Sequence, residues 1–184
     1  MLPHAPHFDV AAALFDPNPD LRQPGILQHS LEGVDRRLLY PATESLLQND
    51  DGLARFGLVP YVQKLTDRDL AALLRAIVKA IEKLAPSDEM FGDGIRLACL
   101  DLLSRLHIRE GIPLCVSVME LDRWDGGYYR LPRCRECLVR YGVHAKEVLP
   151  QLGEILRRPG EGKPNSKSSL PTSKRAPIRR RWWI

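Results

Sequence analysis

The chain has 184 residues, of which 44% are hydrophobic and 7% aromatic, and its net charge at pH 7 is +4. This length is typical of one compact body, and the composition favours helices packed through Leu, Ile, Val and Ala. A membrane-spanning protein is excluded because no run of about 18 apolar residues occurs. Four cysteines are too few for a small disulfide scaffold. The first residues lack the features of a secretory signal, so we expect a cytoplasmic protein.

The first 34 residues contain prolines that recur too closely for long helices: Pro3, Pro6, Pro17, Pro19 and Pro24. Residues 1–34 are therefore predicted to form an irregular cap that packs on the first pair of helices, or to be the broken end of a longer domain.

Helical spacing of apolar residues begins at residue 35. The first stripe consists of Leu38, Leu39, Ala42, Leu46 and Leu47, and the turn residues 49–52 follow it. The clearest helix is predicted from Asp67 to Leu84, because Thr66 followed by Asp69 resembles a capping box. Its apolar face carries Leu70, Leu73, Leu74, Ile77, Val78, Ile81 and Leu84. Residues 87–94 are rich in acids and glycine and are predicted to be a loop.

A repeated helical hairpin occupies residues 95–156. A shift of 35 residues places Cys99 on Cys134 and Leu103 on Leu138. In each half the first helix ends at a short break, and the second helix begins with an aliphatic residue and a proline. The period is slightly below the roughly 40 residues of HEAT and armadillo repeats. The predicted fold is therefore all-α: a HEAT/armadillo-like right-handed stack of about three to four helical hairpins, an α-solenoid, over residues 35–157.

The connection between the two repeats carries three aromatic residues, Trp124, Tyr128 and Tyr129. Loops at matching ends of successive hairpins tend to lie on one face of a solenoid. This edge is the first candidate surface for binding a protein or peptide.

Residues 158–184 differ in composition from the rest of the chain. They contain eight Lys or Arg and one acid, a net +7, so residues 1–157 carry −3 of the whole chain's +4. This composition predicts a disordered basic tail. Its last residues combine cations with indoles, which suits phosphate backbones or anionic lipid surfaces: Arg179, Arg180, Arg181, Trp182 and Trp183. The alternative is a solubilising extension without a binding site.

Cys134 and Cys137 have the spacing of half a zinc site. A second pair is missing because Cys99 and Cys115 stand alone in the sequence. Core packing of reduced thiols is therefore the favoured interpretation, and Cys134 and Cys137 are the candidates if a metal is held.

Other chemistry finds little support. The five histidines have no neighbouring pattern of a nucleophile and a base. Five acids, Asp50, Asp51, Asp88, Glu89 and Asp93, have the chemistry of paired carboxylates or a cation site, although turns and helix caps use the same residues. We predict no catalytic residue and no cofactor, and we interpret the chain as a non-enzyme.

Four stretches resemble the C-terminal part of a bacterial family of HEAT-like repeat proteins: residues 31–42, 49–55, 91–96 and 140–146. The resemblance covers about residues 10 to 156 and not the tail. It implies a HEAT-like fold, and it implies no catalytic residue because the family has no established activity. The expected function is a non-catalytic protein-interaction or scaffold module. The alternatives are nucleic-acid or anionic-surface binding through the tail, and a helical accessory domain of a larger enzyme.

Overall fold

A computed structural model of the chain describes Asn18, Arg22 and residues 35–84, 88–121 and 130–157. Of these residues, 81% are helical and none lies in a strand, which confirms the all-α prediction. The predicted basic tail and almost all of the predicted N-terminal cap lie outside the described residues.

The order of the helices is simple. In the described part of the chain they are α1 (Tyr40–Leu47), α2 (Gly52–Phe56), α3 (Val59–Val62), α4 (Asp67–Glu82), α5 (Asp88–Arg105), α6 (Gly111–Glu120), α7 (Arg130–Tyr141) and α8 (Leu149–Arg157), with 3₁₀ segments at Arg36–Leu38 and Gly142–Val148. Helix α5 packs against α2, α3, α4, α6 and α7, and therefore lies at the centre of these contacts. Helix α6 packs against α4 and α8.

Local capping explains where α2 and α4 begin. The backbone N–H and the hydroxyl of Thr66 donate to the Asp69 carboxylate at 2.9 and 2.8 Å, as the capping-box spacing predicts. The Leu53 N–H donates to Asp51 Oδ1 at 2.9 Å, so the predicted turn after α1 also starts α2.

The predicted apolar stripes form most of the core. Cys99 and Cys134, which the repeat alignment superimposes, are both fully buried. The stripes are wrong at two ends, because Leu38 is 61% exposed and Leu84 is 69% exposed. Both residues lie outside regular α-helix, where spacing by three and four no longer places a side chain on the inner face.

The loop predicted at residues 87–94 is wrong, because α5 already begins at Asp88. Gly94 was interpreted as a turn residue, but it lies within α5 where α2 approaches closely. A Cβ at Gly94 would lie 2.3 Å from Cδ2 of Phe56 on α2. The absence of a side chain therefore lets α2 pack against α5.

Buried polar groups join α5 to three other helices, α4, α6 and α7. Arg96 Nε donates to the Ile81 carbonyl at 3.2 Å, and its Nη2 donates to the Lys83 carbonyl at the end of α4. Asp93 forms ion pairs with Arg96 at 3.1 Å and with Arg130 of α7 at 3.5 Å. Arg130 also donates to the carbonyl of Val118 in α6. The position of α5 is therefore fixed by charge as well as by apolar packing.

Substitution of Gly111 by Ala should destabilise the protein. The new Cβ would lie 2.1 Å from the hydroxyl oxygen of buried Tyr141, which donates to the Ile108 carbonyl at 2.8 Å. Overpacking of this kind costs about 1–3 kcal/mol. Urea unfolding followed by circular dichroism measures the loss.

Gly153→Ala is the matched control, because its Cβ would meet only Nη2 of Arg157, at 3.4 Å. Alanine in a helix with open space should leave stability unchanged or raise it by up to about 1 kcal/mol. Equal free energies of unfolding for the two variants would contradict the proposed role of Gly111.

Candidate functional site: a thiol cluster and an apolar groove

Most binding residues predicted from the sequence lie outside the described part of the chain. This holds for the aromatic connection, Trp124, Tyr128 and Tyr129, and for the tail residues Arg179, Arg180, Arg181, Trp182 and Trp183. Their roles stay predictions. Cys134 and Cys137 are described, and both are buried on α7.

Three of the four cysteines come together in space. The neighbouring thiols of Cys134 and Cys137 on α7 raise the pKa of Cys115 on α6, because α6 and α7 pack against each other. Sequence spacing gave no signal of this grouping, since it depends on the packing of two helices. All four thiols are free.

The neighbours of Cys137 favour its thiolate. The hydrogen bond with Cys115 lowers the pKa of Cys137 most, burial raises it, and the Ser104 hydroxyl and the Arg140 charge lower it again. Nearby Asp101 opposes them, and the resulting pKa is about 7. Conversely, the neighbouring thiols of Cys134 and Cys137 raise the pKa of Cys115.

Helix α5 supplies the polar side of this cluster. Arg140 forms an ion pair with Asp101 and donates to the Ser104 hydroxyl oxygen at 3.1 Å. A cavity of about 420 Å³ lies between α3, α5 and α7, and Asp101 and Cys137 both line it. Only 3% of Cys137 is exposed.

Cys99 provides an internal contrast. It is fully buried on α5, and burial raises its pKa to about 12. Among the described residues, no group of three or more His, Cys, Asp or Glu side chains is arranged to hold a metal ion.

A second feature is an apolar groove between α6, α7, the segment Gly142–Val148 and α8. The groove encloses about 460 Å³, and its described lining residues are Met119, Arg135, Leu138, Val139, Gly142, Ala145, Lys146, Leu149 and Leu152. Val139 is 72% exposed and Leu149 is 59% exposed. Sequence reasoning missed the groove, although Val139 falls off the inner stripe of α7 and so indicates an apolar outer face.

The loop acids have structural partners. Asp50 lies 2.7 Å from the ammonium of Lys83, and this contact lowers the pKa of Asp50. Asp51 caps α2, and Asp93 pairs with Arg96 and Arg130. Of these three acids, Asp51 has the cap duty predicted from the sequence, whereas Asp50 and Asp93 form ion pairs.

Comparison of the chain with known protein families, with curated proteins and with solved structures finds no match. None of the described helices combines the length and the apolar character needed to cross a membrane.

Alkylation should distinguish Cys137 from Cys99. Because the thiolate is the reactive form and the pKa of Cys137 is lowered, its labelling by iodoacetamide should persist as the pH falls from 9 and should be half-maximal at about pH 7. Cys99 should stay unlabelled in the folded protein. Mass spectrometry of quenched samples gives both rates, and a Cys137 profile centred near the ordinary thiol pKa would contradict the assignment.

Proposed function

We propose that the protein is a non-catalytic interaction module whose apolar groove binds a segment of a partner protein. One observation carries this proposal. Val139 on α7 and Leu149 on α8 are both exposed, and both line the same largely apolar groove. Exposed apolar patches of this kind mark interaction surfaces.

The order of helix contacts supports a HEAT-like stack as the scaffold. Helix α5 packs against α7, and α6 packs against both α4 and α8, so helices two apart along the chain are neighbours. Consecutive helices α5 and α6, and α6 and α7, also pack together. A stack of helical hairpins produces both kinds of contact, and solenoids present extended surfaces to partners.

The charges at the groove favour an acidic partner. Two of its described lining residues, Arg135 and Lys146, are charged, and both are cations. An amphipathic helix that places Leu side chains in the groove and Glu side chains at its flanks would satisfy the apolar walls and the cations together. The basic tail of the same chain fits this site less well, because its positive charges would repel Arg135 and Lys146.

Substitution of Val139 or Leu149 by Asp should weaken binding of a synthetic amphipathic peptide of about 20 residues with one Leu face and flanking Glu. A carboxylate in the groove loses apolar contact and repels the peptide's acids, so we expect at least a tenfold rise in Kd, about 1.4 kcal/mol. Fluorescence anisotropy of the labelled peptide measures Kd.

Leu84→Asp is the matched control. Leu84 is 69% exposed but follows α4, away from the groove, so its substitution should leave Kd unchanged. A peptide with Lys in place of Glu should bind more weakly than the acidic one. Equal affinities of the native protein and both groove variants would overturn the proposal.

A second proposal concerns the tail, because it carries +7 while the preceding residues carry −3. We infer that Arg179, Arg180 and Arg181 contact phosphates of nucleic acid, with Trp182 and Trp183 available for stacking on bases. Contacts with phosphates release counterions, so the affinity should fall with salt.

Changing Arg179, Arg180 and Arg181 together to Gln should make the log–log salt dependence of DNA binding shallower, by up to about 0.9 per arginine. The measurement is anisotropy of a labelled duplex at several salt concentrations. A control with Arg68, Arg75 and Lys79 changed to Gln removes the same charge from exposed positions of α4. The tail proposal fails if both triple variants change the slope equally.

A further inference from the structure

A second cavity lies between the α5–α6 connection and the segment Gly142–Val148. It encloses about 530 Å³, a volume typical of sites for small molecules. We propose that it binds a small organic phosphate, a phosphate monoester whose organic part is an aromatic ring or a short apolar chain. The proposal does not depend on the function of the apolar groove, although Lys146 lines both cavities.

The cavity lies where two successive hairpins break in the same way. His107 follows α5 with a φ of 53°, and Gly142 follows α7 with a φ of 56°. The two positions are separated by 35 residues, which is the shift that superimposes Cys99 on Cys134. Both lie in the left-handed region, where glycine is favoured over other residues. The first break therefore places an imidazole where glycine would be less strained, and this imidazole lines the cavity.

The inner wall of the cavity is apolar and held in place by defined contacts. Ile112 and Tyr141 line it, and both residues are buried. The hydroxyl of Tyr141 donates to the Ile108 carbonyl at 2.8 Å, and its ring meets that of His107 edge to face, with centroids 6.3 Å apart. Aliphatic and aromatic walls of this kind bind the organic part of a small ligand.

The outer part of the cavity is rich in cations and imidazoles. His107 and Arg109 come from the α5–α6 connection, whereas His144 and Lys146 come from the segment Gly142–Val148, and all four are exposed. Glu147 is the one acid among the described lining residues. Two positive charges thus stand against one negative charge, so the cavity attracts anions.

The number of donors favours a phosphate over a carboxylate. Arg109 Nη2 donates to Oε2 of Glu147 at 2.9 Å, which uses one of the five N–H donors of the guanidinium. The remaining donors of Arg109, the ammonium of Lys146 and the two imidazoles exceed what the two oxygens of a carboxylate accept. A phosphate monoester offers three acceptor oxygens and a charge of about −1.5 to −2 at pH 7, so it uses more of these groups.

Isothermal titration calorimetry of the full chain with phenyl phosphate tests the proposal. We expect saturable binding of one phenyl phosphate per chain, at least about tenfold tighter than binding of phenol or of inorganic phosphate. Phenol lacks the charge, and inorganic phosphate lacks the ring that contacts the inner wall. Benzoate, which has two oxygens and a single charge, should also bind more weakly than phenyl phosphate.

Substitutions at the outer part of the cavity should change the affinity in opposite directions. Arg109→Gln and His144→Gln each remove a group that faces the phosphate, so each should raise the Kd of phenyl phosphate at least about fivefold. Glu147→Gln removes the opposing acid and should lower it. Arg75→Gln is the matched control, because Arg75 is exposed on α4 and does not line the cavity.

His107→Gly separates a binding role from a structural one. Glycine relieves the left-handed backbone at this position, so the temperature of unfolding should stay the same or rise. The variant lacks the imidazole and should bind phenyl phosphate more weakly than the native chain. Circular dichroism on heating and calorimetry on the same sample measure the two effects.

The proposal fails if phenyl phosphate shows no saturable binding, or if phenol or inorganic phosphate binds as tightly. It also fails if Arg109→Gln and Arg75→Gln change the Kd equally, since the attraction would then come from the net charge of the chain. Lys146 stays native in every variant. Binding of the acidic peptide to the groove should therefore persist in Arg109→Gln, which separates this site from the proposed interaction surface.

Discussion

The rest of the structure depends on the buried guanidinium of Arg96. It holds the C-terminal carbonyls of α4 and pairs with Asp93, which also reaches Arg130 on α7. Removing one partner of a buried ion pair typically costs about 3–5 kcal/mol, because the other charge stays buried. Arg55 is buried in the same region, and its pKa is lowered first by burial and then by the charge of Arg96. The central helix α5 is thus fixed by buried ion pairs. Replacing one charged residue of such a pair with an apolar residue would leave the other charge buried without its partner.

This constraint determines where the functional chemistry lies. Helix α5 runs from Asp88 to Arg105 as one element, so the contacts of Asp93 and Arg96 near its start also orient Asp101 and Ser104 near its end. Those two residues form the polar side of the Cys137 environment. On the other side, Gly111 lets the Tyr141 hydroxyl lie against α6, which fixes α6 relative to α7. The helices that carry Cys115 and Cys137 therefore pack together and are each fixed at a separate point.

Sequence reasoning succeeded where the cause was local. The Thr66–Asp69 capping box, the turn before α2 and the burial of Cys99 and Cys134 follow from hydrogen bonds and spacing within a few residues. It failed at Gly94, because the sequence alone does not distinguish a glycine in a turn from a glycine at a close contact between two helices. The proximity of Cys115 to Cys134 and Cys137 could not be predicted, since nothing in the spacing of α6 indicates which face of α7 it packs against. The resemblance to HEAT-like proteins predicted the helical class but carried no information about either feature.

Helix α7 brings the two features together while keeping them on different faces. Successive residues in an α-helix turn by about 100°, so Cys137 and Val139 point about 200° apart. Cys137 faces α5 and α6, whereas Val139 faces the groove. Leu138 lies between them and is both a core residue and part of the groove wall. The environment of Cys137 and the wall of the groove are therefore both positioned by one turn of α7.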